Sequence, residues 1–419
     1  MDSVKQLFLQ ALRASLKGES VAWDMGLSAD EWVRLFSLAE THSILPMIFE
    51  AVYACPDAKR LDAQFFAPYR QRTLHMVTAQ TMKTEEFLML YRTLTERGIS
   101  PIVVKGIVCR ELYPKPDYRK SGDEDLLISE AEFACCHQAM LDYGMMRSDP
   151  AQDISEAFEV SYGKPGSPVY IELHKCLFDP TDEAYGDLNR YFADVYANGI
   201  TLTLQGTKLA AMNHTDHLFY LICHAFKHFL HGGFGIRQVC DITLYANAYG
   251  SEIDWLKILA NCSEIRAVKF AAALFAIGEK YLTFTHEIAC WPKEWSDIQV
   301  DETMMLDDLL ESGIYGDSTM SRKHSSTLTL EALAAEKQGK TVHHANPLKS
   351  AFPTAKQLEG RYPYLKNRPF LLPVAWTDRL LKYRKETKAN GGKDNNAAES
   401  IRIGNERIAL MKEYGILKK

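Results

Sequence analysis

Two aspartates that lie two residues apart are the first feature of the sequence with a chemical consequence. They stand in GDEDLLI (122–128), whose apolar second half is typical of a strand. Side chains two apart in a strand project from one face, so Asp123 and Asp125 lie side by side while Glu124 points to the other face. Two carboxylates about 4 Å apart repel by roughly 4 kcal/mol at an effective dielectric near 20. The pair therefore requires a cation, a protonated member or an arginine.

A third carboxylate, Glu172, lies in the clearest strand pattern of the chain. In PVYIELHK (168–175), branched apolar residues alternate with Tyr170, Glu172 and His174, which therefore share a face. Hard oxygen ligands on rigid strands suit Mg²⁺, and three carboxylates can hold two such ions for in-line displacement at phosphorus. Taken alone, a D-x-D pair is most often solvated or paired with basic residues, so the neighbouring elements must decide.

These neighbouring elements follow a specific order. The stretch ISPIVVKG (99–106) is predicted to be a buried strand that ends at Lys105-Gly106. A short helix, IVCRELY (107–113), and a polar loop, PKPDYRKSG (114–122), separate it from the strand of the two aspartates. A helix from Ser129, the strand of Glu172 and a hairpin at 200–212 complete the mixed segment.

The remaining regions are predicted to be helical. Apolar residues recur at three-to-four spacing in 1–97 and in 214–419, on either side of the mixed core 98–213. A polar, glycine- and asparagine-rich segment near 388–400 is predicted to be flexible. We therefore predict an α+β fold with three regions, in which a small mixed sheet is flanked by helices and helix predominates overall.

The composition excludes several classes of protein. A formal net charge of −6 and a pI near 6.1 give no strong nucleic-acid signal. No apolar run reaches about 18 residues and the first segment is amphipathic, so we predict no membrane span, no signal peptide and a cytoplasmic protein. The nine cysteines form no C-x-x-C pair, which argues against a disulfide framework or a zinc knuckle.

The carboxylate region resembles a known family. The stretches 103–129 and 169–178 are similar to the uncharacterised nucleotidyltransferase family of the DNA polymerase beta-like nucleotidyltransferase superfamily. The similar positions are Lys105-Gly106, Tyr113-Pro114, Arg119, Asp123, Asp125 and Glu172-Leu173-His174. The segment 217–242, with His224, His228, Arg237 and Asp241, and the late FP…RYPYLKNRPFLLP stretch also resemble the family.

The resemblance implies a metal-dependent nucleotidyltransferase. Asp123, Asp125 and Glu172 would be the catalytic metal ligands, for Mg²⁺ or alternatively Mn²⁺. A nucleoside triphosphate, with ATP among the candidates, would be opened at its α-phosphate and would release pyrophosphate. The acceptor, a small molecule or a macromolecule, is not identified by the sequence.

Five residues are predicted to bind the nucleotide: Lys105, Gly106, Arg119, Ser121 and His174. Lys105 is equally well explained as a surface lysine at a helix start, and Arg119 alternatively as a structural partner of Asp123 or Asp125. The superfamily's usual Gly-Ser step reads Lys105-Gly106 here, which puts the usual phosphate contacts in doubt. Two further functions stay open. One is a nucleotide-binding module without catalysis. The other is a metal phosphohydrolase built on the histidines at 214, 217, 224, 228 and 231, whose spacing also suits plain packing.

Overall fold

The computed structural model describes residues 2–313, 320–337, 354–358, 362–366, 368–389 and 397–418. In this part of the chain one seven-stranded mixed sheet is flanked by helices. The predicted α+β fold, with helix predominating, is confirmed.

Helices fill the first part of the chain, as the apolar spacing predicts. They are Ser3–Leu16 (α1), Ala29–Thr41 (α2), Leu45–Val52 (α3), Pro56–Lys59 (α4) and Ala63–Glu96 (α5). The start of α2 shows why: the Ser28 hydroxyl accepts from the Glu31 N–H, while the Glu31 side chain accepts from the Ser28 N–H. This capping box satisfies donors that a helix start leaves without partners. The long α5 matters most for function, because it contacts the loop that precedes β2 and carries Asp123.

The sheet is assembled from strands that are distant in sequence. Its strands are Ile102–Val104 (β1), Glu124–Leu127 (β2), Met146–Arg147 (β3), Glu159–Gly163 (β4), Tyr170–His174 (β5), Ile200–Leu204 (β6) and Thr207–Ala211 (β7). Their order across the sheet is β3-β4-β5-β2-β1-β7-β6. The strands of the predicted carboxylates, β2 and β5, are therefore neighbours at its centre.

Register fixes which side chains meet. Strand β2 runs antiparallel to β1, with Asp125 opposite Val104, and parallel to β5, with Asp125 opposite Glu172. Because side chains alternate along a strand, this register places the two carboxylates on one face. The other face of β5 carries the fully buried Ile171 and Leu173.

The sequence analysis predicts the hairpin correctly but not the far edge of the sheet. Gln205 and Gly206 both have positive φ, which suits the tight two-residue turn between β6 and β7. Strands β3 and β4 were not predicted. Their segment, 146–163, includes the polar stretch at 149–157, and β4 is recognisable only from its pairing with β5.

Two short helices connect the strands of the site: Gly106–Arg110 (α6) follows β1, and Glu130–Asp142 (α7) follows β2. After the hairpin the chain is helical, through His214–His231 (α8), Ile236–Tyr249 (α9), Trp255–Glu264 (α10), Val268–Tyr281 (α11), Lys293–Ser296 (α12) and Thr303–Ser312 (α13). Apart from the last residues of α8, from His228 on, these segments belong to a compact unit made of Met1–Lys227 and Phe234–Ile314. The site described below lies wholly within it.

A second compact unit comprises His228–Gly233 and Tyr315–Lys419. Its described helices are Met320–Lys337 (α14), Ala355–Leu358 (α15), Leu372–Ala389 (α16) and Ala397–Glu413 (α17). The buried guanidinium of Arg407 donates to the carbonyls of Phe229 and His231, which ties α17 to the short 228–233 segment. The predicted flexible segment near 388–400 falls mainly on 390–396, outside the described residues. The predicted regions 1–97, 98–213 and 214–419 stay predictions.

Candidate active site

The carboxylates of β2 and β5 converge at the centre of the sheet. One ligand atom from each of Asp125, Glu172 and His174 lies within 4.8 Å of the others. Asp123 stands one residue before β2, half-buried, and lines an adjoining cavity. The structure thus brings Asp125 and Glu172 together through the pairing of β2 with β5, and it adds His174 to the group.

Asp125 is the most buried of the three predicted metal ligands. The Lys105 Nζ lies 3.0 Å from Oδ2, and the His174 Nε2 lies 3.2 Å from Oδ1. Burial by itself raises the pKa of Asp125, but Lys105 and His174 outweigh it and lower the pKa to about 2. Asp125 is therefore an anion at neutral pH, held between the Lys105 ammonium and the His174 imidazole.

Glu172 has the opposite electrostatic environment. Burial and the charges of Asp125, Asp123 and Glu159 together raise its pKa to about 8. Its side chain is 23% exposed, so it faces the site opening. A cation bound here would relieve a repulsion that the protein itself leaves uncompensated.

His174 lies among carboxylates. Its Nε2 is 3.8 Å from a Glu172 oxygen, and its Nδ1 is 3.5 Å from a Glu159 oxygen on β4. Burial opposes protonation, but Asp125, Glu159 and Glu172 outweigh it, and the pKa of His174 is raised. The imidazole therefore acts as a donor that fixes the position of Asp125.

Lys105 is built into a strained corner between β1 and α6. Its φ of 45° and ψ of −115° place it outside the usual regions for a non-glycine residue, and Gly106 follows with a φ of 35°. The Lys105 N–H donates to His217 Nε2 at 3.1 Å, and its Nζ lies 3.2 Å from His224 Nε2. Burial lowers the pKa of Lys105, but Asp125 and Asp123 more than compensate and raise it well above its ordinary value. Lys105 is thus a half-buried cation at the site, paired with Asp125, unlike a plain surface lysine.

The other face of β2 carries a buried ion pair that the sequence analysis does not identify. Glu124 accepts from Arg110 Nη1 at 2.9 Å, from the Ile107 N–H at 2.9 Å and from the Ser121 hydroxyl at 2.9 Å. Glu124 and Arg110 are both fully buried. The pair ties α6, β2 and the Ser121 loop into one support. An arginine in the apolar run IVCRELY was the available signal, because a buried charge requires a partner.

Helix α5 holds the same loop from outside the sheet. The Lys83 Nζ donates to the carbonyls of Ser121, at 3.0 Å, and Gly122, at 2.5 Å. Gln80 accepts from the Ser121 N–H at 2.8 Å. Lys83 and Gln80 are buried polar residues in the middle of a long helix. They were also missed, because nothing in their spacing distinguishes them from a solvated helix face.

The structure gives Arg119 a partner that was not predicted. Its Nε and Nη2 donate to the two carboxylate oxygens of Asp241 at 3.0 and 2.5 Å, and the Tyr113 hydroxyl donates to Asp241 at 2.7 Å. In the structure Arg119 pairs with Asp241, whereas the alternative interpretation of the sequence named Asp123 or Asp125 as its partner. A cavity adjoins the pair. It is lined by four of the five predicted nucleotide-binding residues, namely Lys105, Gly106, Arg119 and Ser121, whereas His174 lies among the carboxylates.

The histidines of α8 have roles that explain their positions without a metal. His217 and His224 contact Lys105, and His214 Nδ1 lies 2.9 Å from the Tyr245 hydroxyl. Among the described residues, the group able to hold a metal ion contains His174 and none of these α8 histidines. No observation on the described residues therefore favours a phosphohydrolase built on α8.

We expect the buried His217 to make the protein less stable in mild acid. Burial and then His214 lower its pKa to about 3, so it stays neutral when folded and accepts the Lys105 N–H. Because the unfolded chain binds this proton near pH 6.5, the stability contributed by His217 is complete above that pH. It falls by about 2 kcal/mol between pH 6.5 and pH 5.

Melting temperatures measured from pH 7.5 to 5 test this expectation. The variant His217→Gln keeps an acceptor but cannot titrate, so its melting temperature should decline less steeply with falling pH than that of the wild type. His286→Gln, at an exposed histidine, is the matched control and should follow the wild type. Parallel curves for wild type and His217→Gln would contradict the prediction.

Comparison with known proteins gives one family and one solved structure. The model of a family described as uncharacterised nucleotidyltransferase matches residues 28–283. The solved structure, an antigenic nucleotidyltransferase-like protein from Paracoccidioides brasiliensis, is 16% identical, with a TM-score of 0.30, over 49% of this chain and 95% of that one. A similarity this weak carries no argument. No curated protein matches the chain. In the described residues, no helix combines the length and apolarity required to cross a bilayer.

Proposed function

The chain belongs to the uncharacterised nucleotidyltransferase family, and we propose that it moves a nucleoside monophosphate from a nucleoside triphosphate to an acceptor. Family membership supports the general activity. The observation that carries the finer proposal is the pairing of Asp125 with Glu172 in register. Asp123 lies outside that ligand group, but it lines the adjoining cavity and its charge acts on Glu172. The acceptor oxygen forms a bond to the α-phosphorus, and pyrophosphate leaves with the electron pair of the broken bond. The acceptor proton passes to solvent.

The donor atoms present suit divalent cations. Asp123, Asp125 and Glu172 offer hard carboxylate oxygens, and the raised pKa of Glu172 reflects negative charge for which the protein supplies too little positive charge nearby. We propose that these three residues hold Mg²⁺, with Mn²⁺ as the alternative. When bound, the cations would lower the pKa of the acceptor hydroxyl and offset charge that develops on the phosphoryl oxygens.

The remaining groups bind and orient the substrate. Lys105 supplies a positive charge 3.0 Å from Asp125, on a half-buried side chain that also lines the adjoining cavity. Gly106 also lines the adjoining cavity and can offer a phosphate only its backbone, because the Glu124 carboxylate fills the position that a side chain would take. Arg119 and Ser121 line the same cavity. His174 holds Asp125 in the orientation that its ligand role requires.

The experiment that tests the proposal combines binding with turnover. The full chain is melted with each of the four ribonucleoside triphosphates, with and without Mg²⁺ or Mn²⁺, and pyrophosphate release is then measured for the triphosphates that stabilise it. We expect the melting temperature to rise only when both nucleotide and cation are present. A ligand at 100 times its Kd stabilises the folded protein by about 2.7 kcal/mol. Pyrophosphate should accumulate above the protein-free rate.

Each other outcome has a definite meaning. If no triphosphate stabilises the protein with either cation, the proposal is wrong. Stabilisation without pyrophosphate release, across a set of hydroxyl and phosphate acceptors, would instead identify a nucleotide-binding module that lacks catalysis.

A further inference from the structure

The cavity beside Asp123 carries more positive charge than its own carboxylates balance. Its charged lining groups are three cations and two carboxylates: Lys105, Arg119, Arg237, Asp123 and Asp241. Such a lining is expected to take an anion. Lys105 is compensated by Asp125, outside this lining, and Arg119 and Asp241 compensate each other. Arg237 is the remaining cation.

Arg119 and Asp241 form the compensated pair. The side chains of both are 5% exposed, and two nitrogens of the guanidinium donate to the two oxygens of the carboxylate. The Tyr113 hydroxyl adds a third bond to the same carboxylate. The planar donor edge that would match a phosphate is therefore occupied within the protein.

Arg237 is the cation that this lining leaves without an anion. It lies in the first turn of α9, where its Nη1 donates to the Lys120 carbonyl, a neutral group. Its buried Nε has no hydrogen-bond partner among the described residues. Burial and the neighbouring Arg119 lower the pKa of Arg237, which shows that the surroundings disfavour its charge. A half-buried cation whose buried Nε lacks an acceptor is costly, and a bidentate phosphate would supply both the charge and the acceptor.

The residue next to Arg237 points to the same ligand chemistry. Gln238 Nε2 lies 3.4 Å from His224 Nδ1, and Gln238 Oε1 has no partner among the described residues. Lys105 carries only donors, so the His224 Nε2 at 3.2 Å accepts from it and Nδ1 bears the proton. That proton requires an acceptor, which means that the Gln238 amide is reversed, with its oxygen toward His224. Its N–H donors then take the unpartnered position in the cavity lining.

We infer that this cavity binds the β- and γ-phosphates of the nucleoside triphosphate, an inference that rests on the proposed function. Arg237 binds these phosphates through the planar edge of its guanidinium. Asp123 lines the same cavity and is close enough for its charge to act on Arg237. The triphosphate tail therefore runs from the carboxylates toward the start of α9. Gln238 donates a further hydrogen bond to it. Inorganic pyrophosphate shares this chemistry and is the second ligand expected here.

Titration calorimetry on the full chain tests the inference. The three ligands, titrated at one fixed Mg²⁺ concentration, are nucleoside triphosphate, nucleoside monophosphate and inorganic pyrophosphate. Arg237→Gln should weaken triphosphate and pyrophosphate binding by about 10- to 100-fold, the range for a charge-assisted hydrogen bond of about 1.5–3 kcal/mol. Monophosphate binding should stay within about twofold of the wild type, because that ligand lacks the tail. Arg237→Lys keeps the charge without the planar edge, so its affinity for triphosphate and pyrophosphate should lie between those of the wild type and Arg237→Gln.

Arg97→Gln removes an exposed arginine that pairs with Asp142 and is the matched control. It should bind all three ligands as the wild type does, and melting curves establish that each variant is folded. Equal affinities of wild type and Arg237→Gln for the triphosphate overturn the inference, as does a loss of monophosphate binding as large as that of triphosphate. The protein could bind pyrophosphate through Arg237 and still release no pyrophosphate from triphosphates. That result would support this anion site and contradict the proposed nucleotidyl transfer.

Discussion

Replacing Asp125 with Asn is expected to lower the rate of pyrophosphate release by about 10³-fold or more, since cation stabilisation of the phosphoryl charge is worth several kcal/mol and each 1.36 kcal/mol is tenfold. Asp125 is the buried carboxylate at the centre of the group, opposite Glu172 and in contact with Lys105 and His174. The substitution removes the anionic oxygen that a cation requires while keeping the shape of the side chain. The measurement is the rate of pyrophosphate release at saturating triphosphate.

Loss of activity through misfolding must be separated from loss of chemistry, because Asp125→Asn leaves the buried Lys105 without its ion pair. Glu172→Gln provides the separation. The carboxylate of Glu172 is already disfavoured by burial and by Asp125, so this variant should melt no lower than the wild type without metal and should still lose transfer. Asp142→Asn, at an exposed carboxylate in contact with Arg97 and Gln138, should remain active. An active Asp125→Asn or Glu172→Gln protein would remove the basis for the metal site.

The part of the site that the sequence predicts is the part set by local periodicity. Alternation along β5 places Glu172 and His174 on one face, whatever the sheet order. The same argument paired Asp123 with Asp125, but Asp123 lies before β2 begins and outside the ligand group. The residues that build the other face alternate in the same way and are buried in the structure. Fold class follows similarly, from three-to-four spacing in the helices and short β-branched runs in the centre of the chain.

What could not be predicted depends on pairing between distant segments. The register that puts Asp125 opposite Glu172 joins strands more than 40 residues apart, as the numbering shows. Arg119 finds Asp241 across 122 positions, and several carboxylates nearer in sequence were equally plausible partners. Strand β4 was missed for the same reason, since its neighbour β5 supplies the pairing that defines it. Local patterns predict faces, and only the assembled sheet determines which faces meet.

Function also depends on backbone that a pattern of polar and apolar residues does not describe. Lys105 reaches Asp125 because the chain turns through two consecutive residues of positive φ, and His217 accepts the N–H that this turn exposes. The sequence shows a Lys-Gly step at the end of a strand but not the turn. The requirement for glycine at the second position is therefore a finding of the structure, and it leads to a prediction with a large effect.

Gly106→Ala is expected to disrupt both stability and the site. An alanine Cβ would lie 2.1 Å from the Glu124 carboxylate oxygen that accepts the Ile107 N–H, and Gly106 has a φ of 35°. Glu124 cannot retreat cheaply, because Arg110 and Ser121 hold its other oxygen. The positive φ costs about 1–2 kcal/mol and the overpacking about 1–3 kcal/mol, so a loss of about 3 kcal/mol is expected. Thermal melting and pyrophosphate release measure the two consequences.

Two other glycines separate the causes. Gly122 lies in the loop before β2 and has no positive φ, and an added Cβ there would meet no atom within 4 Å. Gly122→Ala should therefore leave stability unchanged. Gly98→Ala carries the backbone strain of a φ of 76° without a clash, so it should cost only the first of the two contributions. If Gly106→Ala melts no lower than Gly98→Ala, the Glu124 carboxylate moves aside freely, and the support that it gives to Lys105 and to β2 is weaker than its three hydrogen bonds indicate.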